Sequence, residues 1–323
     1  MTTAITIGMI IIYVAIMMGI GVYTARQTRS VSDFVLGSHS VGSWLTAFAY
    51  GTSYFSAVVF IGYAGQFGWT YGVSAAWVGV GNALLGSLLA WIVLGRRTRI
   101  MTQSLGAKTM PEYFEKRWNS KGLKIAAALI VFVFLIPYTA SVYNGLSRLF
   151  NMAFQIESEG AYKIIIIVMA LLTAIYVILG GYAATAINDF IQGIVMLIGI
   201  AAVVICAIQN QGGLTSALAA LGEIEVNGKT NTLNSVFGPD PLNLLGVVIL
   251  TSLGTWGLPQ MIHKFYAIKS ENDIKKGAVI STVFALIVAG GSYLLGGFDR
   301  LFCTLTEDGS GLSQGQKQLL CIA

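Results

Sequence analysis

A long stretch without charge constrains this chain more than any other feature. From Val41 to Gly65 the sequence contains no Asp, Glu, Lys or Arg, and a helix of about 20 apolar residues can cross a bilayer. Similar runs recur along the chain, in which only 10% of the residues are charged, whereas soluble domains average about 25%. The sequence therefore predicts an all-α, polytopic membrane protein whose partner is the lipid bilayer.

Eight candidate spans follow from these uncharged runs, each close to the length that a bilayer requires. They are residues 4–24, 41–65, 72–95, 125–150, 164–181, 187–208, 243–262 and 277–298. We expect a membrane domain over residues 1–302 and a separate tail at 303–323. No basic region precedes the first apolar run, so we expect a retained helix there and no cleaved signal peptide.

The distribution of basic residues indicates an orientation. If the N-terminus is outside, loops 25–40, 96–124 and 263–276 lie inside and carry most of the 19 Lys and Arg residues, as the positive-inside rule requires. We therefore expect a multi-pass protein of the plasma membrane with an external N-terminus. Because orientation explains the net charge of +5, no nucleic-acid partner is expected, and nothing indicates an obligatory protein partner.

Two of the spans are interrupted by small and hydroxyl-bearing residues. Residues 49–62 read AYGTSYFSAVVFIG, and residues 250–260 read LTSLGTWGLPQ. Unwound backbone is tolerated inside a membrane only where it is buried in protein or lines a cavity. Paired interruptions in corresponding spans indicate an inverted-repeat transporter with a midplane site. The alternative is ordinary helix packing, in which Ser and Thr bond back to their own helix.

Asp189 is the only acidic residue that we place within or at the edge of a span. An ionisable group at the bilayer centre costs about 2.5–3.5 kcal/mol on insertion scales and usually faces a protein interior or a water path. Alternatively, Asp189 caps the helix that starts near residue 187. His39 and His263 are interpreted as solvated loop residues. Neither a metal pair nor a nucleophile–base arrangement is evident, so we expect no enzyme activity.

Five motifs resemble, in the same order, those of the sodium:solute symporter family, which includes bacterial sodium/proline and sodium/sugar symporters. They are DFVLGSHSVGSW, GTSYFSAVVFIGYAG, TMPEYFEKRW, GGYAATAINDFIQG and WGLPQMIHKFYAIKS. The resemblance implies two inverted five-helix repeats preceded by one extra helix. It also implies that sodium flow drives uptake of a small polar organic solute, such as an amino acid, a sugar or a carboxylate, by alternating access. Sodium is the coupling ion, and no cofactor is implied.

The resemblance also implies which residues form the sites. By motif position, sodium would bind the backbone carbonyls of Thr52 and Phe55, and Asp189 matches an acidic residue that the family uses near sodium release. The candidate solute contacts are Ser53, Tyr54, Ser56, Thr251, Thr255 and Trp256. Tyr54 stands where proline symporters carry an acidic residue, which argues against proline as the solute.

The end of the sequence departs from the family pattern. The family has several further spans, so we expect an incomplete second repeat and an inactive fragment. The segment LSQGQKQLLCIA resembles the signature motif of an ABC ATPase, which predicts a foreign or aberrant tail at 303–323. A P-loop and a Walker B strand are missing. The alternative reading is a membrane subunit of an ATP-driven permease.

Overall fold

A computed structural model describes residues 2–302, apart from residues 27, 29, 38–40, 56–58, 155–158 and 227. Within these ranges the chain is almost entirely helical, with two isolated β-bridges and no strand. The prediction of an all-α fold is therefore confirmed. The candidate solute contact Ser56, His39 and the predicted tail 303–323 lie outside the described residues.

The first part of the chain consists mainly of short helices. They are α1 (Thr2–Ala25), α2 (Val31–Leu36), α3 (Ser43–Tyr54), α4 (Ala64–Tyr71), α5 (Ala76–Gly81), α6 (Arg96–Leu105) and α7 (Met110–Trp118). Tighter and wider turns connect them: π-helical turns at Val59–Tyr63, Asn82–Leu89 and Trp91–Gly95, and a 3-10 turn at Gly72–Ala75. Ala64–Leu105 is nevertheless long and apolar enough to span a bilayer.

The second part of the chain contains the long helices. It comprises α8 (Lys121–Phe154), α9 (Glu159–Asn210), α10 (Leu214–Glu223), α11 (Pro241–Leu253), α12 (Pro259–Ala267), α13 (Glu271–Gly297) and α14 (Asp299–Phe302). The predicted spans 164–181 and 187–208 both lie within α9. This helix is kinked at Gly181, whose φ of +57° is left-handed; a Cβ there would lie 2.7 Å from the Phe34 carbonyl oxygen, so only glycine suits this position.

By length and apolarity, five of the described helical segments can cross a membrane: Ile7–Ala25, Ala64–Leu105, Lys121–Ser147, Gly160–Asn210 and Glu271–Gly297. Pro241–Gly257 and Pro259–Ala267 together pass the same test as one broken span. Several such helices are typical of a multi-pass membrane protein. The eight predicted spans and the external N-terminus stay predictions.

The chain divides into two compact units. Unit 1 comprises Met1–Ser53, Trp91–Gln192 and Pro259–Gly277, and unit 2 comprises Tyr54–Ala90, Gly193–Leu258 and Ala278–Ala323, each in its described part. The chain passes from one unit to the other between Ser53 and Tyr54, and again between Leu258 and Pro259. Both interruptions that were predicted from the sequence therefore coincide with a boundary between the units.

Unit 1 is stabilised by an apolar cluster and by backbone contacts at the end of α12. The cluster contains Leu36, Val41, Tyr182, Ala186, Tyr266 and Ala267. The Lys269 backbone N–H donates to the Val41 carbonyl over 3.0 Å. The buried Arg99 guanidinium donates to the Ile268 carbonyl, also over 3.0 Å. These bonds fix the segment that follows α12, and with it the C-terminal end of that helix.

Unit 2 is packed through direct contact between glycine backbones. A Cβ on Gly68 of α4 would lie 2.0 Å from the carbonyl carbon of Gly296 in α13, so any side chain would force the two helices apart. Small residues at such contacts allow membrane helices to approach closely. Beyond α13, Arg300 donates to the Trp69 carbonyl over 2.9 Å, and its guanidinium lies 4.5 Å from the Trp69 ring centroid.

Candidate functional site

The first interruption begins at the C-terminal end of α3. Residues Gly51–Tyr54 are still helical, and the bend begins at Phe55. The Thr52 hydroxyl donates to the Phe48 carbonyl over 2.9 Å, which is the back-bonding that the packing alternative predicted. The Thr52 carbonyl, in contrast, lies in the last helical turn, where intrahelical donors run out. The negative end of the helix dipole makes such carbonyls suitable for a cation.

The predicted sodium-binding residues fall in different units. Thr52 and Asp189 belong to unit 1, whereas Phe55 belongs to unit 2, where it is buried and its ring stacks on Tyr54 with centroids 4.5 Å apart. Ser53, a candidate solute contact, is the last residue of its segment in unit 1 and is half-buried. The roles of these residues in sodium or solute binding stay predictions.

The second interruption is a short 3-10 turn followed by one extended residue. The turn covers Gly254–Gly257, Leu258 has φ −68° and ψ 127°, and Pro259 begins α12. Within the turn, the Thr255 hydroxyl donates to the Ser252 carbonyl over 3.1 Å. The loss of regular α-helix at this point agrees with the sequence prediction, because Pro259 cannot donate to the preceding turn.

Four side chains of unit 2, Tyr54, Asn82, Thr251 and Ser252, form what we call the Asn82 cluster. The Asn82 Oδ1 atom lies 3.2 Å from the Tyr54 hydroxyl and 3.1 Å from the hydroxyls of both Thr251 and Ser252. The Tyr54 hydroxyl is also 2.9 Å from the Thr251 carbonyl. Two of the predicted solute contacts, Tyr54 and Thr251, are thus brought together around one amide.

The hydrogen bonds of the Asn82 cluster can be exchanged. Each hydroxyl has one proton, and both Tyr54 and Thr251 have a second, closer acceptor than Asn82: the Thr251 carbonyl for Tyr54 and the Val247 carbonyl, at 2.9 Å, for Thr251. A polar ligand could therefore bond to the Asn82 oxygen while these hydroxyls keep an acceptor. The cluster has the chemistry of a binding site for hydroxyl, amine or amide groups.

Sequence reasoning missed Asn82, although it is a lone amide within the uncharged span 72–95. That isolation was the available signal. Gly86 is a second missed position: a Cβ there would lie 2.0 Å from the Tyr54 hydroxyl oxygen, so glycine makes room for that side chain. The predicted contact Trp256 donates its indole N–H to the Leu85 carbonyl over 3.0 Å, which fixes the ring in unit 2.

A second group of polar side chains surrounds Asp189 in unit 1. The Asp189 carboxylate lies 3.7 Å from the Lys264 ammonium of α12, and their side chains are only 22% and 8% exposed. The Thr52 hydroxyl is near enough to interact with the same carboxylate. The Lys264 nitrogen also lies 5.2 Å from the centroid of the Tyr182 ring, within the range of a cation–π interaction. We call Thr52, Tyr182, Asp189 and Lys264 the Asp189 cluster.

Three sequence interpretations are corrected here. Asp189 does not cap a helix, because α9 continues through it. Lys264 is not in an inner loop; it is buried in α12, which begins directly after the second interruption and holds it beside Asp189. His263 is not solvated in a loop: it is half-buried in α12, with its ring packed edge-on against Tyr182 at 5.1 Å between centroids.

Several polar atoms of unit 1 are buried without a hydrogen-bond partner among the described residues. They are the Tyr182 hydroxyl, the Asn188 amide nitrogen and both amide atoms of Gln260. Tyr182 is 7% exposed and Asn188 is 3% exposed. Buried polar atoms are normally bonded to protein or to water. Unit 1 therefore retains hydrogen-bonding capacity close in sequence to both Asp189 and Lys264.

Metal coordination by acidic, thiol or imidazole clusters is not available in the part of the chain that the structure describes, where no group of three such residues comes together. A sodium ion would instead require carbonyl and hydroxyl oxygens with one carboxylate. The Thr52 carbonyl and the Asp189 carboxylate supply donors of that class in unit 1.

Comparison with known proteins identifies relatives of this sequence. Sodium/proline symporters of Staphylococcus aureus, from strains JH9 and NCTC 8325 among others, are 34% identical over 274 residues, which is 83% of this chain and 51% of theirs. The chain thus spans about half the length of the curated relatives that it matches.

A solved structure shows the same fold. The substrate-bound, outward-open structure of a Na⁺-coupled sialic acid symporter superposes with a TM-score of 0.68 at 17% sequence identity, covering 99% of this chain and 65% of that one. The predicted inverted-repeat transporter fold is confirmed by this likeness. The family model of the "SSF: Sodium:solute symporter family" matches residues 34–316. This chain therefore belongs to the sodium:solute symporter family, a family of transporters.

Proposed function

We propose that this chain forms the core of a symporter that uses inward sodium flow to take up a small polar organic solute. It would work by alternating access in the plasma membrane, with its N-terminus outside. The family assignment supports this function, and so do the names of the relatives, which are sodium-coupled symporters of proline and sialic acid. One charge crossing about 100 mV provides about 2.3 kcal/mol, before any concentration gradient is counted.

The Asn82 cluster carries the proposal for the solute. It combines one amide with three hydroxyls beside the second interruption, and the Tyr54 and Thr251 hydroxyls keep a carbonyl acceptor when a ligand bonds to Asn82 in their place. Formal charge is absent from all four side chains. The proposed solute is therefore bound through neutral hydrogen bonds at this cluster, and Thr255 and Trp256 are proposed to line the same region of unit 2.

The Asp189 cluster supports the proposal for sodium. The carboxylate and the Thr52 carbonyl are hard oxygen donors, which suit a small cation. Phe55 is proposed to supply a further carbonyl, since it directly follows the end of α3. A buried carboxylate in an apolar helix is costly unless a function retains it, and binding of a cation is such a function.

An uptake assay tests this function. Because this chain is expected to be inactive on its own, the proteoliposomes contain a full-length protein that includes it, and they are given radiolabelled amino acids, sugars and carboxylates under an inward gradient of sodium or of choline. Sodium-dependent uptake of one solute is expected, with a strong loss in Asp189→Ala and in Asn82→Leu. Exposed Lys269→Met serves as the matched control and should transport normally. Equal uptake in sodium and in choline would contradict the proposal.

A further inference from the structure

Lys264 is a buried cation. The proposed sodium symport gives it no role. Its side chain is 8% exposed, and burying an unpaired ammonium is among the most costly features a protein can have. In addition, it lies beside the carboxylate that is proposed to attract sodium, where a second positive charge would oppose ion binding. A side chain that is costly in itself and opposes the proposed ion requires a specific role.

The geometry of the Asp189–Lys264 pair is loose. The nitrogen–oxygen distance of 3.7 Å is an ion-pair distance but exceeds that of a good hydrogen bond. The attraction is therefore mainly coulombic, and separating the two groups costs less than breaking a short hydrogen bond between charged groups would. A tightly hydrogen-bonded pair would instead hold the carboxylate permanently and exclude another cation.

The ammonium has other favourable contacts available within unit 1. The face of the Tyr182 ring already lies 5.2 Å from the nitrogen. Gln260 is four residues before Lys264 on α12, so helix geometry places both side chains on one face. The amide oxygen of Gln260 is buried and has no partner among the residues described. Lys264 thus has both a cation–π surface and an unused carbonyl within reach of a change in rotamer.

We propose that Lys264 is a tethered cation that occupies the Asp189 carboxylate when sodium is absent, and that arriving sodium displaces it towards Gln260 and Tyr182. The inference rests on the proposed sodium-coupled function. Since the ammonium replaces the ion, the carboxylate is never left as an isolated buried charge after sodium departs. Competition by Lys264 would lower the affinity for sodium and help the ion to leave.

Sodium titrations of four proteins test this role. Wild type, Lys264→Met, Gln260→Leu and the control Lys269→Met are placed in lipid nanodiscs, and ²²Na⁺ binding and thermal stabilisation are measured against choline at constant ionic strength. Without the competing ammonium, Lys264→Met should bind sodium about tenfold more tightly, as expected when a site is freed from a self-occupied state. Gln260→Leu removes the alternative acceptor and should bind sodium more weakly. The exposed Lys269→Met should match wild type.

The opposite signs of these two effects distinguish displacement from a merely structural role, in which both variants would weaken binding. If Lys264→Met does not fold, Lys264→Arg supplies the test: a guanidinium holds a carboxylate through two hydrogen bonds, so sodium should bind more weakly than in wild type. Unchanged or weaker binding in Lys264→Met, or unchanged or tighter binding in Lys264→Arg, overturns the inference alone. A folded wild-type protein that shows no response to sodium overturns the proposed function as well.

Discussion

The Asn82 cluster of unit 2 and the Asp189 cluster of unit 1 are both buried polar groups in apolar helices, but they differ in charge and in how completely their hydrogen bonds are formed. In the Asn82 cluster, neutral side chains converge on one amide oxygen with distances of 3.1–3.2 Å. In the Asp189 cluster, two opposite charges stand 3.7 Å apart, and the Tyr182 hydroxyl is buried without a partner in the described part of the chain.

This difference shows two ways of keeping polar groups inside a membrane protein. A neutral network is stable when its donors and acceptors match, and it therefore stays stable when no ligand is bound. A charged site depends on a counter-charge, because removing one partner leaves an uncompensated buried ion. The Asn82 cluster should therefore tolerate an empty state, whereas the Asp189 cluster should require a cation at all times.

The largest expected effect comes from breaking the charged pair. Asp189→Asn leaves Lys264 buried without its counter-charge and should cost about 3–5 kcal/mol of stability. The double variant Asp189→Asn/Lys264→Met removes both charges and should be more stable than Asp189→Asn alone. Thermal unfolding in sodium-free choline buffer measures the stability of the wild type, of Asp189→Asn, of Lys264→Met and of the double variant. If the losses of the two single variants simply add in the double variant, the charges are not coupled.

A smaller effect is expected from crowding the neutral cluster. Gly86→Ala places a Cβ against the Tyr54 hydroxyl, which must move away from the Thr251 carbonyl; overpacking of this kind costs about 1–3 kcal/mol. Solute uptake should fall while the ²²Na⁺ affinity stays near that of wild type. Gly246→Ala is the matched control in α11, because its added Cβ has no neighbour within 4 Å. Loss of sodium affinity in Gly86→Ala would show that the two clusters are not separable.

The last effect concerns Asp299, a half-buried carboxylate for which the described part of the chain shows no ion pair. Burial raises the pKa of Asp299, in α14, from its ordinary value of 3.8 to about 7. The folded protein therefore binds this proton more tightly than the unfolded chain, and stability should decrease as the pH rises from about 4 to 7. Asp299→Asn should remove this decrease, so that the variant melts a few degrees above wild type at pH 8 and equally at pH 4.

Thermal melts of both proteins across this pH range check that result. A wild-type melting temperature that does not fall more steeply with pH than that of Asp299→Asn would mean that burial alone does not perturb an acid in this fold.

The features that could be predicted from the sequence are those encoded locally. Uncharged runs predicted an all-α membrane fold, and Pro259 with its neighbouring glycines predicted the interruption that the structure places at Gly254–Leu258. Tyr54 and Thr251 were predicted as solute contacts, and the structure brings them together. The fold and the interruption needed only the length of a span and the backbone chemistry of Gly and Pro, whereas Tyr54 and Thr251 came from the resemblance to the family, and their role in solute binding stays a prediction.

The features that the sequence did not reveal depend on partners distant in the chain. Lys264 was counted as a loop residue because a lysine near the end of an apolar run normally marks the membrane surface, yet it is buried because Asp189, far earlier in the sequence, provides its counter-charge. Likewise, the only local sign of Asn82 is its isolation as an amide in an uncharged span, and that sign does not reveal its partners. Its role in the cluster depends on the three hydroxyls that the fold brings to its amide oxygen.

The kink at Gly181 has a consequence for how the Asp189 cluster is built. The left-handed backbone there and the close approach of Phe34 leave a single residue type suitable for the position. The direction in which α9 continues towards Asp189 is therefore set by a residue that has no side chain to repack. Changing the direction of the Asp189 carboxylate by design would therefore require substitutions in the neighbouring elements, because Gly181 itself cannot be replaced.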